Sequence, residues 1–185
     1  DVAALAGGGF AVVWTGYGDG SGTAIRGRAY DSSGAAIGSE LIVNTTAVSD
    51  QRDVTVAATA DGGYLVAWTS SLQGTMGRTF DALGRPTGPE TVLFDWDSQP
   101  PGVFGPDITA LADGRLALLT AEASDTGDIW GGLFDTRGAE ISGTDESETL
   151  YGNALDNLMD AGARDDTVFG YAGAARLIGA IGDDS

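Results

Sequence analysis

Over the first 142 residues, apolar and polar positions alternate in short runs, and the runs recur. VAALAGGGFAVVW from Val2, VAATADGGYLVAW from Val56 and ITALADGRLALLT from Ile108 share one pattern: an apolar strand, a tight turn and a second alternating strand. The turn positions Gly7, Asp61 and Asp113 lie 54 and then 52 residues apart. In the second strand, Phe10, Val12 and Trp14 correspond to Tyr64, Val66 and Trp68. Asp and Gly accept the positive φ of tight hairpin turns, so each stretch predicts a β-hairpin.

A second set follows each of these: GRAYDSSGAAIG from Gly27, GRTFDALGRPTG from Gly77 and GGLFDTRGAEIS from Gly131. An aromatic residue (Tyr30, Phe80, Phe134) is followed at once by Asp, and three residues later comes Gly34, Gly84 or Gly138. Asp-x-x-Gly predicts a type I turn with a left-handed glycine, closing another hairpin. Four strands in roughly fifty residues is the size of a propeller blade. The expected units are 1–51, 52–102 and 103–142. Three blades cannot close a ring, so the expectation is either blades upstream of Asp1 or an open stack or sandwich.

From Gly143 the period becomes nine: GTDESETLY, GNALDNLMD, AGARDDTVF, GYAGAARLI and the incomplete GAIGDDS. The eighth position holds Leu150, Met159, Val168 and Leu177, all apolar, which sets the register. The fold class is therefore all-β: three four-stranded, propeller-blade-like repeats, as a partial propeller or open stack, followed by a short, degenerate parallel β-roll over 143–185. Asp1 and Ser185 each fall inside a repeat, so further domains of a longer chain are expected.

Composition narrows the function. Twenty-seven Asp plus Glu against nine Arg, with no Lys, give a formal net charge of −18, which repels phosphate backbones and argues against nucleic acid. With no His and no Cys, His-based triads, HExxH sites and thiolate zinc sites are excluded. No G-x-S-x-G elbow is present, no acid pair stands out for glycoside cleavage, and the expectation is that the chain is not an enzyme. No apolar run is long enough for a membrane helix. GYGDGSGT from Gly16 imitates a phosphate-binding loop but lacks its Lys, and reads as a hairpin tip, with weak calcium binding through Asp19 as the minor alternative. Asn44-Thr45-Thr46 matches a glycosylation triplet and reads as a strand end. Trp14 and Trp68 read as packing residues. Trp96 and Trp130 break the repeat pattern and are candidate contacts for a protein or glycan. Arg28 and Arg78 occupy equivalent positions, where they are expected to face outward and neutralise nearby acids.

The first 142 residues resemble repeats found beside calcium rolls in large secreted bacterial proteins, where "dGgfvvvW" and "fd..G..vg" recur. The nine-residue tail resembles the RTX, or haemolysin-type, calcium-binding repeat family, although most of that family's glycines are missing. This resemblance implies a loop and a short strand per repeat, with two repeats completing one turn, so that loops eighteen residues apart share an edge. It also implies a carboxylate ligand at the sixth position, occupied here by Glu148, Asn157, Asp166, Ala175 and Asp184. One edge thus carries Glu148, Asp166 and Asp184, with Asp165, Gly182 and Asp183 beside them, and the other only Asn157 and Ala175. Calcium, which takes six to eight oxygens, is expected on the acidic edge alone.

The function implied is a non-catalytic, calcium-binding structural or adhesive module of a protein secreted to, or held on, the surface of a Gram-negative bacterium. The alternative is an accessory region of a secreted hydrolase whose catalytic domain lies outside this chain.

Overall fold

Strand follows strand through the described residues of the computed structural model, and no helix interrupts them there. Those are residues 1–94, 105–112, 114–121 and 129–136, together with the strand segments 140–142, 149–151, 158–160, 167–169 and 176–178. The chain divides into two compact units, Asp1–Leu133 and Phe134–Ser185.

In the first unit, β1 (Val2–Ala4), β2 (Phe10–Gly16), β3 (Ala24–Tyr30) and β4 (Ala36–Ile42) form one antiparallel meander. A second contains β5 (Gln51–Ala58), β6 (Tyr64–Ser70), β7 (Gly74–Phe80) and β8 (Thr91–Phe94). The third departs from the four strands expected and has three: β9 (Asp107–Ala110), β10 (Leu116–Ala121) and β11 (Ile129–Phe134).

The turns follow the local chemistry. Leu5 and Gly9, Thr59 and Gly63, and Leu111 and Arg115 are bonded through their backbones around identical turns, with Gly8, Gly62 and Gly114 at φ of 83°, 87° and 85°. Only glycine takes that conformation freely. Two of the three Asp-x-x-Gly turns form as expected, and the third, at Gly138, lies outside the described residues. Gly34 N–H donates to Asp31 C=O and Gly84 N–H to Asp81 C=O, both at 3.0 Å, with φ of 82° and 78°.

Alternation gives each sheet two faces, and register assigns the residues to them. In the first sheet Ala11 pairs with Ala29 and Val13 with Gly27 on one face, while Phe10 pairs with Tyr30, Val12 with Arg28 and Trp14 with Arg26 on the other. In the second, Tyr64 pairs with Phe80, Val66 with Arg78 and Trp68 with Met76 on one face. The core joins unlike faces. Ala3, Ala11, Val13 and Ile25 from the small-residue face of the first sheet cluster with Val56, Tyr64, Val66, Trp68, Met76 and Phe80 from the aromatic face of the second. On the second sheet's other face Leu65 and Ala67 are also buried, as are Leu116 and Leu118 of the third, and β9 lies against β5. The sheets therefore stack with one polarity.

In the second unit, β12 (Glu140–Ser142), β14 (Leu158–Asp160) and β16 (Arg176–Ile178) pair in parallel, as do β13 (Thr149–Tyr151) and β15 (Thr167–Phe169). Met159 pairs with Ile141 and Leu177, and Leu150 with Val168, each eighteen residues apart. Glu140–Ser142 thus pairs with the nonapeptide strands, and Ile141 stands nine residues before Leu150, in phase with the repeat.

Candidate functional site

Glu148, Asp165, Asp166, Gly182, Asp183 and Asp184, the expected metal ligands, lie outside the described residues, as does Trp96. Trp130 is described only as part of the backbone of β11. The strands that alternate with the loops of the nine-residue repeats are described, however. The strand after Glu148 pairs with the strand after Asp166, and the strand after Asn157 with the strand after Ala175.

Many carboxylates of the first unit are occupied by the backbone. Asp31 Oδ1 accepts the Ser33 hydroxyl at 2.6 Å and the Ser33 and Ala35 amides at 2.9 Å. The Ser33 hydroxyl first, and then these amides, hold its carboxyl below the usual carboxylate range. Asp81 Oδ1 accepts the Leu83 and Arg85 amides at 2.9 and 2.8 Å. Asp1 reaches the second sheet, where it accepts Thr55 Oγ1 and the Val56 amide at 3.0 Å beside a bulge in β5 that carries Asp53 at φ 53°. Glu90 accepts from Thr45 and Thr46. Among the described residues, no group of three or more potential metal ligands comes together.

The segment from Gly16 to Thr23 connects β2 to β3, as a hairpin tip should. Asp19 accepts the Ser21 amide and the Asn44 side-chain amide. Asn44 follows β4, and its buried Oδ1 accepts the Ile25 amide at 2.8 Å, so the triplet is a strand end with its amide engaged.

Arg28 and Arg78 are each half-buried, and the acid partners expected of them are not the groups they bond. Both lie on the aromatic face, their guanidinium carbons 6.0 Å and 5.7 Å from the ring centres of Tyr30 and Phe80. Their partners are carbonyls rather than acids: Gly38 O for Arg28, and Val43 O at 2.9 Å for Arg78. The ion pairs among the described residues belong to Arg26 with Glu40 and Arg52 with Asp53. A flat guanidinium suits a ring face and a carbonyl together, which is why the strand position beside the aromatic residue selects it.

Tyr64 stacks on Phe80 at 5.2 Å, as Phe10 stacks on Tyr30 at 4.8 Å. Burial, with a smaller contribution from the Asp81 charge, pushes the Tyr64 phenol up to about 12. Trp68 is fully buried, and its Nε1–H donates to the equally buried Gln51 Oε1 at 2.9 Å. Gln51 was missed in the sequence because nothing local marks a glutamine as the partner of an indole seventeen residues away. Trp14, at the matching position, is only half-buried. A shallow cavity of about 340 Å³ lies against Ala29, Leu41 and Leu83, with Arg85 at its wall, and offers apolar contact and one cation.

No family model matches the chain, and no curated protein or solved structure is significantly similar to it. Among the described residues no helix is long and apolar enough to cross a membrane.

Proposed function

We propose that the chain is a non-catalytic, calcium-binding structural or adhesive module of a secreted or cell-surface protein, in which blade-like sheets precede a short RTX-type β-roll. The observation that carries this reading is the eighteen-residue parallel pairing in the second unit. Leu150 against Val168 and Met159 against Leu177 is the period that two nine-residue repeats per turn require. The strands that follow Glu148 and Asp166 are neighbours, with Thr149 paired to Thr167, and paired strands run about 4.8 Å apart.

Carboxylates at that spacing repel one another, and a divalent cation between them removes the repulsion while gaining ligands. The residues that would hold the ion are Glu148, Asp166 and Asp184, with Asp165, Gly182 and Asp183 supplying further carboxylate and backbone oxygens. When bound, calcium supplies folding energy to strands only three residues long, which have little apolar surface of their own to bury. Low calcium inside a cell and high calcium outside would then make the second unit order after export.

The test is a calcium titration followed by circular dichroism and calorimetry on the whole chain, compared with Asp166→Ala and Asn157→Ala. Asp166→Ala should weaken calcium-induced ordering by at least tenfold, since it removes the central charged ligand, and Asn157→Ala should leave it nearly unchanged. Equal effects of the two substitutions, or no calcium response in the parent chain, would refute the reading.

A further inference from the structure

The stack of sheets in the first unit ends in two unlike faces, and each has a buried counterpart inside the stack. At one end is the aromatic face of the first sheet, carrying Val2, Phe10, Val12, Trp14 and Tyr30. The same positions in the second sheet are Val56, Tyr64, Val66, Trp68 and Phe80, all at most 5% exposed because the small-residue face of the first sheet covers them. In the first sheet Val2 is 60% exposed and the others are half-buried.

At the other end is the second face of the third sheet. By register with the repeats, Ala117, Leu119, Ile129, Gly131 and Leu133 stand where Ala11, Val13, Ile25, Gly27 and Ala29 stand in the first sheet. The glycine is part of the design of this face. A Cβ at Gly27 would sit 3.2 Å from Val43, at Gly77 2.6 Å from Leu93, and at Gly131 2.6 Å from Leu119, so in each sheet an apolar side chain lies over it. Leu119 and Leu133 are each 52% exposed and Ile129 73%.

We propose that these two ends dock on each other between two copies of this chain, the third sheet of one copy covering the aromatic face of the first sheet of the next. The occupant follows from the interface already formed within the chain, which joins this kind of small-residue and aliphatic face to this kind of aromatic face. Both halves of one more such interface are present and exposed. Among the described residues of the first unit like faces do not meet, so each contact joins unlike faces, and a two-fold axis makes two such contacts in the dimer. Two copies closing on each other bring six sheets together, within the four to eight blades of known ring architectures. Arg26 replaces Met76 at the edge of the aromatic face, where its charge is neutralised by Glu40, as suits the rim of an interface.

The experiment measures the mass of the whole chain in solution by light scattering and sedimentation over a concentration series, with Val2→Glu and Leu119→Glu as variants. Both residues are exposed, so neither change should unfold a monomer, and circular dichroism melts check that they do not. The parent chain is expected at twice the monomer mass. Each variant should associate at least about a hundredfold more weakly, because a carboxylate without a partner would be buried in the contact. Mixing the two variants should restore a mixed dimer, since one retains an intact third sheet and the other an intact first sheet. A monomeric parent chain, unaltered association of Leu119→Glu, or a mixture that stays monomeric would each overturn the proposal.

Discussion

The buried bond between Trp68 and Gln51 allows a quantitative test of the inter-sheet core. Both side chains are fully buried, and the indole Nε1–H has its partner at 2.9 Å. Gln51→Leu keeps the volume roughly constant but leaves that N–H without an acceptor. The second bond of Gln51, to Val48 O at 3.3 Å, is easier to lose because Val48 is exposed and water can reach its carbonyl. The expected loss is therefore about 1–3 kcal/mol, dominated by the orphaned indole N–H. Trp68→Phe orphans Gln51 Oε1 instead and adds a cavity, since a benzene ring does not fill an indole's space. In the double variant both polar groups are gone, so it should be less destabilised than the sum of the single variants by about 1–2 kcal/mol. Urea unfolding followed by far-ultraviolet circular dichroism measures all four corners of the cycle, provided the slope with denaturant is unchanged. Single effects that add to within about 0.5 kcal/mol would show that the two groups do not depend on each other and would refute the argument.

Two further outcomes follow from other parts of the first unit. Gly34 has φ 82° and open space around an added Cβ, so Gly34→Ala should destabilise through backbone conformation alone, by roughly 1–2 kcal/mol; a raised melting temperature would contradict this. For Tyr64, the folded-state value of about 12 lies above the ordinary 10.0, so its contribution to stability is fully present below pH 10 and is lost as pH rises from 10 through 12. An ultraviolet titration should show one late tyrosine that disappears in Tyr64→Phe, and a Tyr64 that titrates with the exposed tyrosines would refute the assignment.

The turns and the strand register were legible in the residues themselves. Whether Gly34 or Gly84 takes a positive φ depends on an Asp three residues earlier and on the missing Cβ, which are local matters, and both turns form as the spacing dictates. The nine-residue phase is similarly local, since one apolar residue per repeat sets it, but the pairing of Leu150 with Val168, two repeats on, was implied by the family resemblance and not by the phase. That phase also extends back to Ile141, a position that the parallel pairing with Met159 made evident.

Burial of a given face was not legible, because alternation shows that a strand has two faces and says nothing about what lies beyond either. Trp14 and Trp68 stand in matching sequences, yet only Trp68 has another sheet packed over it. Arg28 and Arg78 look like surface charges from their neighbours in sequence, while the rings and carbonyls that receive them are brought close by strand pairing and by the packing of one sheet on the next. Gln51 became an indole partner in the same way. Conformation at a turn is set by the few residues within it, whereas burial is a property of two surfaces, and only the tertiary structure decided which surfaces meet.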